Sequence, residues 1–209
     1  DPVAGFDWSG PATTIRRIRG QKLGIVGLGR IGTAAALRAK AFGLDVLAYD
    51  PYLAWGQEIA LGVTRMADLH TMLGEADIVS LHAPLTEETR HIIDAAALSA
   101  MKPEAVLVNT ARGALIDLDA LHAALKDNRI AAAGLDVLPK EPPEANHPLM
   151  RDFRDQPDWI KGRLVVTPHA AWYSVESQTD ARRKAVETAI AYLRDGELRN
   201  CVNGTYLKR

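Results

Sequence analysis

Short runs of consecutive apolar residues alternate along this chain with longer stretches in which apolar positions recur at helical spacing. The runs at 22–26, 45–49, 77–81, 105–108, 131–137 and 164–167 read as strands, being short and bounded by turn residues. Apolar runs of this kind, with helical stretches between them, predict a parallel sheet covered on both faces and joined by right-handed crossovers. The helical pattern spans about 31–42, closed by Gly43, with a further helical turn near 55–61. A third helix is expected over 117–127, where Asp117 is a natural N-cap, Leu118, Leu121, Ala124 and Leu125 share a face, and Asn128 is a stop. The last runs from about Ser174 to Arg194, with Ala181, Ala185, Val186, Ala189, Ile190 and Leu193 on one stripe and Gly196 just beyond. Such a stripe is expected to cover something. Residues 139–163, carrying Pro139, Pro142, Pro143, Pro148 and Pro157, read as a long surface loop, and 1–21 as an irregular lead-in segment.

The first strand runs straight into Gly27-Leu28-Gly29-Arg30-Ile31-Gly32, and Tyr49-Asp50 closes the next strand. In this strand, turn and helix pattern Gly27 permits a tight turn and Gly29 lets a pyrophosphate approach the backbone. Gly32 lets the helix pack close to its strand, and the N–H groups at the helix start face the phosphates. A carboxylate at Asp50, eighteen residues past Gly32, can accept hydrogen bonds from the ribose hydroxyls and repels a 2′-phosphate. The pattern therefore points to a doubly wound α/β domain that binds NAD rather than NADP. A structural glycine turn or another nucleotide ligand is the competing reading, and the flanking strand, helix and acid weigh against it.

Composition narrows the picture further. With 209 residues, 47% of them hydrophobic, the chain can bury a full core. A formal charge of −1 gives no broad attraction for nucleic acid or an anionic membrane. A single cysteine, Cys201, excludes an intrachain disulfide and fits a reducing compartment. No apolar run approaches a membrane span and no signal-peptide pattern opens the chain, so a cytoplasmic protein is expected.

In a dinucleotide fold the ligand lies at the carboxyl ends of the strands, so polar residues just past the strands are the candidates for chemistry. Arg112 follows the strand at 105–108, Glu141 the strand ending in Asp136-Val137, and His169 the strand ending in Thr167-Pro168. Hydride exchange with a 2-oxo acid needs a proton for the developing alkoxide, a cation for the carboxylate and a partner that holds the proton donor in one tautomer. Histidine titrates near neutrality, arginine offers paired donors and glutamate can bond the second imidazole nitrogen. Taken singly, each has an ordinary structural alternative; together, on one predicted rim beside a cofactor fold, they favour chemistry. His82, after the strand at 77–81, is either a cofactor-lining residue or a turn residue. The six histidines form no ligand pair on one helical face, so no metal centre is expected.

Four blocks carry a resemblance to a known family: Gly27 to Gly32, Val108-Asn109-Thr110-Ala111-Arg112-Gly113, Gly134-Leu135-Asp136-Val137 with Glu141-Pro142, and Thr167-Pro168-His169. They resemble the D-isomer-specific 2-hydroxyacid dehydrogenases and occur in the family's order. The segments Tyr49-Asp50-Pro51-Tyr52-Leu53, Pro168 to Ser174 and Asn200-Cys201-Val202-Asn203 are similar to the C-terminal-binding-protein branch, which includes NAD-sensing corepressors. The resemblance implies a Rossmann-type NAD-binding domain over 22–173 and a C-terminal helix and return segment over 174–209. Most of the family's substrate domain has no counterpart in this chain. It also implies that Arg112, Glu141 and His169 are catalytic, and that Arg30, Ile31, Asp50, Thr110, Ala111 and Asp136 surround the cofactor, alongside Gly27, Gly29 and Gly32 of the glycine turn; His82 is a cofactor-lining candidate from its place after a strand alone. Trp172 matches an aromatic that faces the substrate pocket, with core packing as the alternative. A homodimer and a small 2-hydroxy or 2-oxo acid substrate are implied as partners. The implied activity is NAD-dependent dehydrogenation, with a dimeric NAD(H)-sensing regulator, or a cofactor domain inactive by itself, as alternatives.

Overall fold

The structure is a computed structural model that describes residues 16–199 and Cys201. Most of the lead-in segment, residues 1–15, together with Asn200, Val202 and Asn203, lies outside the described residues. The chain falls into two compact units, one ending at Pro168 and the other starting at His169.

The first unit contains β1 (Lys22–Val26), α1 (Arg30–Ala41), β2 (Asp45–Tyr49), α2 (Gln57–Leu61), β3 (Thr64–Arg65), α3 (Leu69–Glu75) and β4 (Ile78–Leu81). It continues with α4 (Ala95–Ala100), β5 (Val106–Asn109), α5 (Leu118–Lys126), β6 (Ala132–Leu135), α6 (Pro148–Asp155) and β7 (Leu164–Val166). The seven strands form one sheet in the order β3-β2-β1-β4-β5-β6-β7, and every pairing is parallel. This is the doubly wound parallel α/β sheet that the apolar runs predict.

Alternation along the strands divides the core into two layers. Leu23 and Ile25 of β1, with Val46 and Ala48 of β2, pack against Ala36 and Ala39 of α1. Val26 and Leu47 point to the opposite layer, with Met72 and Leu73 of α3, Leu98 of α4 and Leu121 and Leu125 of α5. Both faces of the central strands are thus buried, which is why their sequences show no polar alternation. Short helices begin where an aspartate side chain accepts a backbone N–H: Asp68 for α3, Asp94 for α4 and Asp117 for α5.

The proline-rich stretch 139–163 is not one long loop. His147 caps α6 by accepting the Leu149 N–H, Pro148 occupies the first turn, and Leu149, Met150 and Ile160 are buried. Proline is suited to a helix start, where its missing N–H would have no intrahelical partner. Two pairs fasten α6 to α5: His122 Nε2 lies 2.7 Å from Asp152, and His147 Nε2 lies 3.4 Å from Asp119. Arg163 closes the stretch by donating to the carbonyls of Ala131, Ile130 and Trp159 and to the Asn128 side chain.

The second unit is built on α7 (Val175–Asp195). Ser174 and Ser177 form a reciprocal capping box at its start, and Gly196, at φ 68, ends it. Of the apolar stripe on this helix, Val186, Ile190 and Leu193 are exposed, and Ala191 is the helix's one buried residue.

Candidate active site

All strand C-termini lie on one edge of the parallel sheet, and the candidate residues of the first unit follow them. Gly27 comes after β1, Asp50 after β2, His82 after β4, Thr110 to Arg112 after β5, and Asp136 and Glu141 after β6. Because β1 has β2 on one side and β4 on the other, the winding reverses there and a crevice opens above the strand ends.

The three glycines of the first turn are required for different reasons. Gly27 has φ 90, and a Cβ there would lie 2.7 Å from the Ala83 nitrogen. A Cβ on Gly32 would collide with the Gly27 carbonyl oxygen. Gly29 is different: its φ of −73 suits any residue, and an added Cβ would meet nothing within 4 Å. The fold itself therefore needs glycine at 27 and 32 but not at 29. No side chain among the described residues caps α1, and its first turn carries no acidic residue. A bare approach to an uncapped helix start fits a pyrophosphate.

Asp50 is pinned on the neighbouring strand end. One carboxylate oxygen accepts the Leu28 N–H and the other the Tyr52 N–H, each at 2.9 Å. Each oxygen keeps a further lone pair, so the group is oriented and still able to accept from ribose hydroxyls.

Two cavities adjoin at Ala83 and Pro84, which line both. The first, about 580 Å³, lies between the ends of β2 and β4 and is lined by Gly27 and Asp50 among others. The second, about 750 Å³, is lined by Arg30, Ile31, His82, Thr110, Ala111 and Arg112. Ile31, in the first turn of α1, is 71% exposed, an apolar surface that a ligand in this cleft would cover. Together the cavities supply the two halves a dinucleotide requires: a ribose acceptor at one end, an open helix start between, and a cation at the other.

His82 is half-buried, with Nε2 3.0 Å from the Ser80 hydroxyl. Burial pulls its pKa below the ordinary imidazole value. Arg112 is exposed and its guanidinium donates to the Ala111 carbonyl at 2.6 Å. The turn that carries it is braced by Asn109, which is wholly buried: its side chain accepts the Ala111 N–H and donates to the Arg112 carbonyl. A Cβ on Gly113 would collide with the Leu138–Pro139 backbone, so the Arg112 turn packs directly on the loop leading to Glu141.

Glu141 is exposed, its Oε1 accepting the Leu138 N–H at 2.9 Å, and the peptide bond to Pro142 is cis. Asp136 is buried and accepts the Thr167 hydroxyl at 2.5 Å, tying the ends of β6 and β7. Neither Asp136 nor Glu141 lines the two cavities. His169 opens the second unit at φ 52, a backbone region that non-glycine residues visit sparingly and often at functional sites. Trp172, in the same unit, is 54% exposed and stands edge-on to Tyr173. Asn109 is the positioning residue that sequence reading passed over, although an asparagine at a strand end beside a turn is itself a signal.

Residues 3–171 match the family described as D-isomer specific 2-hydroxyacid dehydrogenase, NAD binding domain, and the chain belongs to it. It is 43% identical over 191 residues to a glyoxylate reductase of Korarchaeum cryptofilum, covering 91% of this chain and 54% of that protein. It is 40% identical over 184 residues to a D-3-phosphoglycerate dehydrogenase of Methanocaldococcus jannaschii, covering 88% of this chain and 33% of that protein. Among solved structures, the NAD-complexed D-isomer specific 2-hydroxyacid dehydrogenase of Lactobacillus delbrueckii ssp. bulgaricus superposes with a TM-score of 0.78 at 36% identity, covering 94% of this chain and 61% of that one. The chain thus spans about a third to three fifths of the length of these proteins.

The three glycines separate folding from binding. Gly29→Ala is expected to leave the melting temperature within about 2 °C of the parent while weakening NADH binding at least about tenfold, because the methyl group intrudes only on the ligand's approach. Gly27→Ala should lower the melting temperature clearly, since it adds both left-handed strain and a backbone collision. Thermal melts beside NADH fluorescence titrations check this, and equal effects of the two changes on melting would contradict it.

His82 yields a pH prediction. Its folded pKa is below its unfolded one, so the unfolded chain takes up the proton first and stability falls as pH drops below about 6.5. Below the folded pKa the loss levels off. Melting temperatures from pH 8 to 5 should fall less steeply for His82→Asn than for the parent, and identical slopes would remove this role.

Proposed function

We propose that the chain is the NAD-binding portion of a D-2-hydroxyacid dehydrogenase that exchanges hydride with a small 2-hydroxy or 2-oxo acid. The observation that carries the proposal is the wall shared by the two cavities, which joins the Gly27 and Asp50 end to the Arg112 end. Bound NAD supplies the hydride acceptor or donor. Arg112 holds the substrate carboxylate through paired hydrogen bonds and polarises the 2-oxo group, a task for a permanently charged planar cation. His169 exchanges the proton at the substrate oxygen, and Glu141 orients the imidazole and favours its protonated form; this pairing follows the family resemblance. Arg30, Ile31, Thr110, Ala111 and Asp136 complete the cofactor's surroundings, and Trp172 faces the substrate. The glyoxylate reductase and D-3-phosphoglycerate dehydrogenase names of the relatives support small oxo acids as the substrate class.

In this reading the nucleotide domain spans 22–173 and a return segment follows over 174–209. The functional protein is a homodimer working in the cytoplasm; among the described residues no helix is long and apolar enough to cross a membrane. A second reading, a dimeric NAD(H)-sensing corepressor of the C-terminal-binding-protein branch, is favoured by the Tyr49 to Leu53 and Pro168 to Ser174 segments. The full set of Arg112, Glu141 and His169 favours turnover, since a sensor needs only the cofactor contacts.

The test is oxidation of NADH by the full-length protein with a panel of 2-oxo acids. His169→Ala should leave NADH affinity within about twofold and slow turnover by about 10²-fold or more. Unchanged turnover would remove His169 as the proton donor. Failure of every acid to support oxidation would favour the corepressor reading.

A further inference from the structure

Among the described helices, α6 alone begins on an imidazole. α3, α4 and α5 are capped by Asp68, Asp94 and Asp117 and α7 by Ser174, side chains that accept an N–H unchanged across the neutral range. In α6 the acceptor is Nδ1 of His147, 3.2 Å from the Leu149 nitrogen. That contact fixes the neutral tautomer: Nδ1 keeps its lone pair, and Nε2, which carries the proton, stands 3.4 Å from Asp119 Oδ1.

A second proton can enter the ring only at Nδ1. There it faces the Leu149 N–H, donor against donor, so an imidazolium cannot cap the helix. The carboxylates around the ring pull the other way. Asp119 in α5, with Asp117 and Glu144 on the walls of the cavity of about 260 Å³ that His147 lines, attract the charged form; Lys140 and His91 on the same walls oppose it. Lys140, paired with Glu144 at 2.8 Å, holds that carboxyl below its ordinary value, so it stays ionised through the range where imidazoles titrate. One ring thus meets two opposed demands, a cap that requires it neutral and neighbours that favour it charged.

The segment that depends on this cap carries Glu141. Upstream, Leu138 and Pro139 rest on Gly113, and the Leu138 N–H donates to Glu141 Oε1. Downstream, the segment is tied to α6 by the cap and by Arg154, which donates to the Ala145 carbonyl at 3.1 Å. The backbone packing upstream is indifferent to pH, whereas the cap downstream is not.

We propose that His147 is a positioning residue for Glu141, a proton-operated cap that holds residues 138–147 when neutral and releases them when charged. The inference rests on the proposed dehydrogenase role of Glu141 and adds to it an acid limit on turnover that is set away from the reacting groups.

Two readouts on the full-length protein test it. His147→Asn keeps a side-chain acceptor that does not titrate, and His147→Ala keeps none. In amide hydrogen exchange, corrected for intrinsic rates, the parent is expected to lose protection about fivefold at Leu149 and Arg151 between about pH 7.5 and about pH 5.5. His147→Asn should hold its protection within about twofold, and His147→Ala should show the low value at both pH values. In 2-oxo acid reduction, the kcat of His147→Asn divided by that of the parent should rise from about one at the higher pH to about three at the lower, with NADH affinity unchanged. Both proteins share His169 and Glu141, so the titration of those groups cancels in the ratio. Equal protection at the two pH values in the parent, or a flat kcat ratio, would overturn the proposal while the dehydrogenase reading stands. If no 2-oxo acid supports turnover by the parent, that reading falls and the positioning role falls with it.

Discussion

The bend between β1 and α1 governs the arrangement of the whole C-terminal edge. The chain turns there so tightly that Gly27 lies against the backbone of Ala83 and Gly32 against the carbonyl of Gly27, leaving no room for a Cβ at either position. This double approach sets the helix start, the end of β1 and the end of β4 in one cluster. Asp50 extends the cluster to β2 by accepting N–H groups from both Leu28 and Tyr52. The uncapped start of α1 and the wall shared by the two cavities therefore rest on a single steric constraint, with the pinned carboxylate of Asp50 added.

The reactive half of the edge is organised by a second close approach. Gly113 lets the Arg112 turn rest on Leu138 and Pro139, and buried Asn109 braces that turn from within. The guanidinium thus remains exposed while its backbone is fixed, the arrangement that the proposed clamp on a substrate carboxylate requires. Glu141 belongs to a loop anchored at its far end by α6, whose Leu149 and Met150 enter the core and whose His147 and Asp152 meet α5.

Much of this was legible in the chain because parallel strands buried on both faces leave uninterrupted apolar runs. The strands near 22–26, 45–49, 77–81, 105–108 and 164–167 and the helices capped by Asp117 and Ser174 are found where the pattern sets them, within the usual play at their ends. What escaped notice was short or disguised. β3 has two residues, α4 has six and α3 contains Gly74, all too little for a periodic signal. α6 was hidden by prolines that suggest a loop, although Pro148 sits where a helix tolerates it. At the site, strand-end residues such as Asp50 and Arg112 declare themselves by position. The bracing role of Asn109 is local, signalled by an asparagine at a strand end beside a turn, whereas the hydrogen bond from Tyr52 to Glu88 depends on how separate loops meet, which no local pattern encodes. The stripe on α7 was visible as a stripe, yet periodicity carries no information about what lies opposite it.

We infer that the open start of α1, whose approach Gly29 leaves clear, receives the pyrophosphate of a nicotinamide dinucleotide. A crystal structure of the chain soaked or grown with NADH tests it most directly. Phosphate oxygens are expected within hydrogen-bond distance of the backbone N–H groups from Gly29 to Ile31, with the adenine ribose on Asp50. A dinucleotide bound elsewhere, or one whose phosphates stay clear of that helix start, would contradict it.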